Sequence, residues 1–234
     1  MTSKHLGIGD PKPPFDPTKK FRLYSMRFCP FSQRGRLVAA AKGVKDFEIV
    51  NLKLREELPE WYSTINPARS VPLIEFPDGL VIGESLIVAE LIDEMYPDNI
   101  LQSKDPITKA KQKLFIDKCG KTFIPAYFKY LKQRTEEMKE ELIKNLSIME
   151  QCLIDCKTKY FAGDKVGMVD YMVWPWFERL PVMYTLSADL HPNLTNWCKL
   201  MYDDPAVKET SSSKELYMKF FDAYLGPGKT LFDF

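Results

Sequence analysis

The stretch Phe21-Arg22-Leu23-Tyr24-Ser25-Met26-Arg27-Phe28-Cys29-Pro30-Phe31-Ser32-Gln33-Arg34 decides how the chain is read. Phe21, Leu23 and Ser25 alternate with Arg22 and Tyr24 as a short strand, and the Ala- and Leu-rich run from Arg34 to Lys42 reads as a helix stopped by Gly43. Cys29 therefore falls where a strand ends and a helix begins. A helix N-terminus presents unpaired backbone N–H groups and the positive end of the helix dipole, and both stabilise a thiolate. Pro30 in the first helical turn sacrifices no hydrogen bond and fixes the turn. The placement suits a nucleophile better than a buried structural thiol. Ser32 stands where a two-cysteine redox motif has its second thiol, so chemistry at Cys29 has to pass through a mixed disulfide with an outside thiol.

Working outward, Phe47–Leu52 reads as a second strand, Leu58–Ile65 as a short helix and Val71–Phe76 as a third strand. Pro77-Asp78-Gly79 is a hairpin turn into a fourth strand, Leu80–Ile82, and an amphipathic helix over Glu84–Met95 closes the unit. The order β-α-β-α-β-β-α is that of a thioredoxin-like α/β domain. The expected organisation is a Pro-rich extension over 1–20, the thioredoxin-like domain over 21–96, a linker over 97–105 and an all-helical domain over 106–234. In the last of these, Met138, Leu142, Leu146, Met149, Leu153 and Cys156 recur at intervals of three or four.

Three further constellations join Cys29. Ser70-Val71-Pro72-Leu73 places a proline at the start of a strand; a cis Val71–Pro72 bond there would turn the Val71 backbone groups outward, where a peptide-like thiol could pair as an added strand. Gly83-Glu84-Ser85 opens a helix with N–H groups, a carboxylate and a hydroxyl, enough to grip the carboxylate and ammonium of an amino acid together. Asp170-Tyr171-Met172-Val173-Trp174-Pro175-Trp176-Phe177-Glu178-Arg179-Leu180 is dense in aromatics, as core helices are. Cys152 and Cys156, one helical turn apart, read as core packing rather than half a metal site, since His5 and His191 are the only histidines.

The composition narrows the function classes. Lys and Arg number 33 against 32 Asp and Glu, for a net charge of +1, which gives neither a nucleic acid nor an anionic membrane a basic surface. The aliphatic run Leu86–Ile92 is interrupted by Glu90 and falls far short of the ~20 residues a membrane span needs. The first 20 residues hold four prolines and no apolar stretch of a secretory signal, and five cysteines form no dense even set. The expectation is a cytoplasmic protein without a metal, 45% hydrophobic, with ample core for its 234 residues.

Tyr24-Ser25-Met26-Arg27-Phe28-Cys29-Pro30-Phe31, Val71-Pro72, Glu84-Ser85 and Asp170-Tyr171 through Phe177-Glu178-Arg179-Leu180 together resemble an omega-class glutathione transferase, in that family's order and spacing. The resemblance runs from about Phe21 to the C-terminus, and the Pro-rich extension is also an omega trait. It implies the glutathione transferase fold, a homodimer, glutathione as cosubstrate, and thioltransferase and dehydroascorbate reductase activity on small thiol, disulfide or dehydroascorbate acceptors. It further implies that Cys29 forms the mixed disulfide, Phe31 lines the site, Val71 beside Pro72 pairs with the cysteinyl backbone, and Glu84 and Ser85 hold the γ-glutamyl end. Trp176 and Arg179 would lie on the acceptor side. Two positions depart from the family pattern: the lysine before Pro-Glu-Trp is here Leu58, with Lys53 or Arg55 as substitutes, and the helix-capping serine three residues before Asp170 is Gly167. Cys29-Pro30-Phe31-Ser32-Gln33-Arg34 with Lys42-Gly43-Val44 is also similar to the chloride intracellular channel proteins, redox-sensitive proteins that insert into membranes. Those lack the Glu-Ser pair and the Trp-Pro-Trp-Phe-Glu-Arg segment.

Overall fold

The structure is a computed structural model that describes residues 4–226 and 232–233, Glu56 by its backbone alone. It divides into two compact units, Met1–Asn99 with Glu215–Phe234, and Ile100–Lys214.

In the first unit, strands β1 (Phe21–Ser25), β2 (Phe47–Asn51), β3 (Leu73–Glu75) and β4 (Val81–Gly83) form one sheet in the order β2-β1-β3-β4. β1 and β2 are parallel, from Phe21 opposite Phe47 to Ser25 opposite Asn51. β3 runs antiparallel to both its neighbours, with Leu73 opposite Tyr24 on one side and Gly83 on the other. Helices α1 (Pro30–Ala41) and α3 (Ser85–Met95) pack on each other, and the short α2 (Glu60–Ile65) connects β2 to β3. Gly35 of α1 makes the close approach possible, since a Cβ there would stand 3.1 Å from Val88 Cγ1 on α3. A buried pair, Lys42 Nζ to Asp93 Oδ1 at 3.0 Å, ties the far ends of the same two helices. Each expected element is present with its ends shifted by a few residues; α1 starts four residues earlier, at Pro30, because Cys29 itself caps it.

The extension is part of this unit rather than a tail. Leu6 bridges in parallel to Leu52, just past β2. Fully buried Arg22 donates to the carbonyls of Pro13 and Pro14 at 3.0 and 2.6 Å while pairing with Glu48 at 2.8 Å. Lys12 reaches Glu75 at 2.5 Å, and Glu75 also accepts from Tyr24 Oη at 2.6 Å.

The second unit is helical: α4 (Pro106–Lys121), α5 (Phe123–Gln133), α6 (Glu136–Cys156), α7 (Met168–Arg179), α8 (Pro192–Asp203) and α9 (Pro205–Thr210). The α6 stripe is inward-facing as expected at Leu142, Leu146, Met149 and Leu153, all buried. Cys156 departs from the expected core packing. It is exposed, because it ends α6 just before Lys157 turns the chain through a left-handed conformation. The last helix, α10 (Lys214–Leu225), lies with the first unit from Glu215 onward, whereas the sequence pattern assigned it to the helical domain. Its rings explain the grouping: Phe220 stacks on Phe28 at 4.7 Å and Tyr224 lies 3.8 Å beneath the Arg55 guanidinium.

Among the described residues no helix is long and apolar enough to cross a membrane, and no cluster of three or more His, Cys, Asp or Glu is placed to hold a metal ion.

Candidate active site

β1 ends at Ser25, and the chain turns through Met26–Phe28 before α1 begins. The Cys29 N–H donates to Met26 O at 3.0 Å, which closes the turn. Cys29 then acts as the N-cap of α1, its Sγ accepting the Ser32 N–H at 3.5 Å, with Pro30 at the first helical position. The sulfur thus takes the place that a Ser or Asp oxygen usually fills at a helix start. Cys29 is 8% exposed, shielded but within reach of the surface.

The sheet register brings two other motifs to the same end. Because Leu73 lies opposite Tyr24, Val71 and Pro72 enter β3 at the end of the sheet where β1 delivers its chain to Cys29. The Val71–Pro72 bond is cis, and both residues are buried. Because Gly83 lies opposite Leu73, β4 releases Glu84 and Ser85 at that end too. Glu84 precedes α3 with φ +67° and ψ 117°, a left-handed backbone conformation that a side chain with a Cβ rarely adopts. Such strain is held in place only by its surroundings and concentrates at functional positions. Ser85 opens α3, and its Oγ accepts from Arg34 Nη1 at 3.0 Å. Arg34 also lies over the half-buried Phe31 ring at 5.7 Å.

Cys29, Phe31, Val71, Pro72, Glu84 and Ser85 thus share one end of one unit. Arg34 stands in the motif around Cys29, but its link from α1 to Ser85 at the start of α3 was not read from the sequence; a long cation on the inner face of an Ala- and Leu-rich helix was the available signal. Leu58, where the family pattern has a lysine, is buried at 3% exposure, and of its two possible substitutes Arg55 is engaged with the Tyr224 ring and Lys53 stands 3.6 Å from Glu57. Trp176 and Arg179 lie on α7 in the other unit, both fully buried, with Arg179 Nη1 donating to Pro175 O at 2.5 Å. Cys152, Cys156 and Cys198 are thiols of the second unit. Burial raises those of Cys152 and Cys156 above the ordinary thiol value and pushes Cys198 up to about 12.

Residues 23–100 match the glutathione S-transferase N-terminal domain and residues 132–200 the glutathione S-transferase C-terminal domain. The chain is 38% identical to glutathione S-transferase omega-1 of Sus scrofa over 96% of its own length and 94% of that protein. It is 35% identical to glutathione S-transferase omega-2 of Homo sapiens, over 99% and 97%. Among solved structures, glutathione transferase Omega 1C of Trametes versicolor superposes with a TM-score of 0.77 at 22% identity, covering 88% of this chain and 97% of that one, which speaks for the fold. A thioredoxin-like unit followed by a helical one, with this similarity over nearly the whole length, places the chain in the glutathione transferase family, and within it in the omega class.

Proposed function

We propose that the protein is a glutathione-dependent thioltransferase and dehydroascorbate reductase that works through a Cys29–glutathione mixed disulfide. The observation that carries the reading is a cysteine sulfur, rather than a hydroxyl, at the N-cap of α1. Glutathione is the cosubstrate: Val71 pairs with its cysteinyl backbone, Glu84 and Ser85 hold the γ-glutamyl end, and Phe31 lines the site. Ser85 Oγ accepts from Arg34, which leaves its hydroxyl proton, together with its backbone N–H at the start of α3, to donate to a carboxylate. For Trp176 and Arg179 the family resemblance alone supports an acceptor-side role.

The reaction follows from the sulfur chemistry. The Cys29 thiolate attacks the glutathione sulfur of a mixed disulfide, the disulfide bond breaks, and the acceptor leaves as a thiolate that takes up a proton. A second glutathione, as thiolate, attacks Cys29–glutathione, releases oxidised glutathione and restores Cys29. Ser32 cannot serve as an internal resolving group, so this external step is required: a mixed disulfide consumes one free glutathione per turnover, its own glutathione leaving in the oxidised product, whereas an acceptor that brings no glutathione needs two, which give up two electrons as they form one disulfide. With dehydroascorbate the two electrons reduce the acceptor to ascorbate. A thiolate has no proton to donate and its charge disfavours a second thiolate alongside, so conjugation of electrophiles is weak.

The membership in the omega class and the Glu84-Ser85 pair at the start of α3 favour this reading over the channel-like alternative. On this reading the protein works in the cytoplasm as a homodimer, with Ile107 and Leu114 on α4, 66% and 69% exposed, as apolar surface for a second copy. The test measures reduction of a glutathione mixed disulfide and of dehydroascorbate by wild type, Cys29→Ala and Ser32→Ala. Cys29→Ala loses both activities and Ser32→Ala largely keeps them, since the N–H that caps Cys29 is backbone. Retained reduction in Cys29→Ala contradicts the mechanism.

A further inference from the structure

The proposed reaction makes no use of the N-terminal extension, yet one of its residues reaches the turn before the thiol. His5 is fully buried. Its Nδ1–H donates to Asp233 Oδ1 at 2.8 Å, and the same oxygen accepts the His5 backbone N–H at 2.9 Å. With the proton on Nδ1, Nε2 carries a lone pair and accepts the Arg27 N–H at 3.1 Å. The Arg27 carbonyl in turn accepts from Arg36 Nη2 at 2.7 Å. Both backbone groups of Arg27 are therefore fixed by side chains, two residues ahead of Cys29. The intervening Phe28 stacks against Phe220 at 4.7 Å and faces the imidazole at 6.5 Å, while the Phe232 ring lies tilted 5.5 Å from the imidazole.

We propose that His5, as a neutral imidazole, is a positioning residue for the Cys29 turn, and that its protonation releases Arg27 and withdraws the thiol from its capping place. The proposal rests on the reading of Cys29 as the reacting thiol. An imidazolium has no lone pair at Nε2, so two N–H groups would then face one another and the partly buried Arg27 N–H would lose its acceptor. The charged groups facing the ring are Asp233 of the C-terminal segment, Arg27 of the turn and Arg36 of α1. Burial holds the ring's pKa below the ordinary imidazole value. Asp233 pulls the other way, and Arg27 and Arg36 add to the effect of burial. The turn is thus firm at neutral pH and loosens under acid. Extension and C-terminus act on the sulfur through one peptide group, without touching glutathione.

The test is the rate of Cys29 alkylation by iodoacetamide, read on the Cys29 peptide by mass spectrometry, for wild type, His5→Gln and His5→Leu. Circular dichroism and the thermal midpoint are followed in the same buffers. Glutamine supplies an acceptor and a donor that do not titrate. Near neutral pH, His5→Leu lowers the rate by about tenfold or more and His5→Gln restores most of it, because a small displacement of a reacting group costs that much. The ratio of the His5→Gln rate to the wild-type rate is flat from about pH 8 to pH 7 and rises severalfold toward about pH 5, where only the wild type gains a charge. A pH-independent ratio overturns the proposal, as does a folded His5→Leu that reacts as fast as wild type or faster. If His5→Leu fails to fold, the ratio alone decides. Disulfide reduction retained in Cys29→Ser would contradict the thiol reading while leaving the alkylation comparison intact.

Discussion

Glu84 shows at the level of one residue how stability and binding are set against each other. Its φ of +67° is costly for any side chain with a Cβ, by about 1–3 kcal/mol. Glycine carries no such cost, so Glu84→Gly is expected to leave the thermal midpoint unchanged or raise it by the equivalent of up to about 1 kcal/mol. If Glu84 holds the γ-glutamyl end as proposed, the same change removes a charge-assisted contact worth about 1.5–3 kcal/mol, and the KM for glutathione rises roughly 10- to 150-fold. Calorimetry and glutathione titration at saturating acceptor check the two halves separately. A destabilised Glu84→Gly contradicts the strain, and an unchanged KM removes Glu84 from the site. Cys29, Glu84 and Ser85 were legible in the sequence because each sits at a junction of strand and helix, where local pattern is strongest. His5 was not: its partner Asp233 is 228 positions away and a lone histidine in a Pro-rich segment has no periodicity to betray its contacts.

At the scale of elements, α7 is held by Asp170. Its carboxylate accepts the N–H groups of Phe161, Ala162 and Gly167 at 2.9, 3.2 and 3.0 Å and Trp197 Nε1–H at 2.9 Å, which fastens the preceding loop and α8 to the helix start. Gly167 looked like a weakened cap when read from sequence. The structure supplies the reason for it: a Cβ at 167 would stand 2.7 Å from Ala162 Cβ and 3.0 Å from the Leu101 carbonyl. Gly167→Ser is therefore expected to destabilise the fold by about 1–3 kcal/mol despite serine's better capping chemistry. Adding Ala162→Gly recovers part of the loss. Thermal unfolding of the single and double variants checks this, and a serine that stabilises on its own contradicts it. The amphipathic stripe of α6 and the β3–β4 hairpin were readable because their periods are local. The allegiance of α10 was not, since it depends on rings such as Phe220 meeting Phe28, nearly two hundred residues earlier.

For the whole molecule, the two histidines set the response to acid. Burial lowers the pKa of both His5 and His191 in the folded protein. Between the ordinary imidazole value and those lowered values the unfolded chain binds more protons than the folded one, so stability falls as pH drops below about 6.5. Asp170 opposes this lower down. Burial outweighs its four donors and pushes its carboxyl up to about 6, so the folded protein takes up a proton there before the unfolded chain does. Thermal midpoints should therefore fall from about pH 7 to pH 6 and fall less steeply below that, and His5→Gln should flatten the first part. A midpoint that rises on acidification through this range contradicts the assignment. The two-unit plan itself was visible from the switch between short strands and helical stripes. The docking of the extension was hidden, because Arg22 bound to proline carbonyls and Lys12 bound to Glu75 are side-chain contacts without a sequence period.

Cys29 is the thiol proposed for exchange, and the mass of the intact protein after incubation with oxidised glutathione tests that most directly. The prediction is a single glutathione adduct, mapped to Cys29 by peptide digestion and removed by reduced glutathione, with Cys119, Cys152, Cys156 and Cys198 unmodified. No adduct at Cys29, or an adduct carried by another cysteine in its place, would contradict the account.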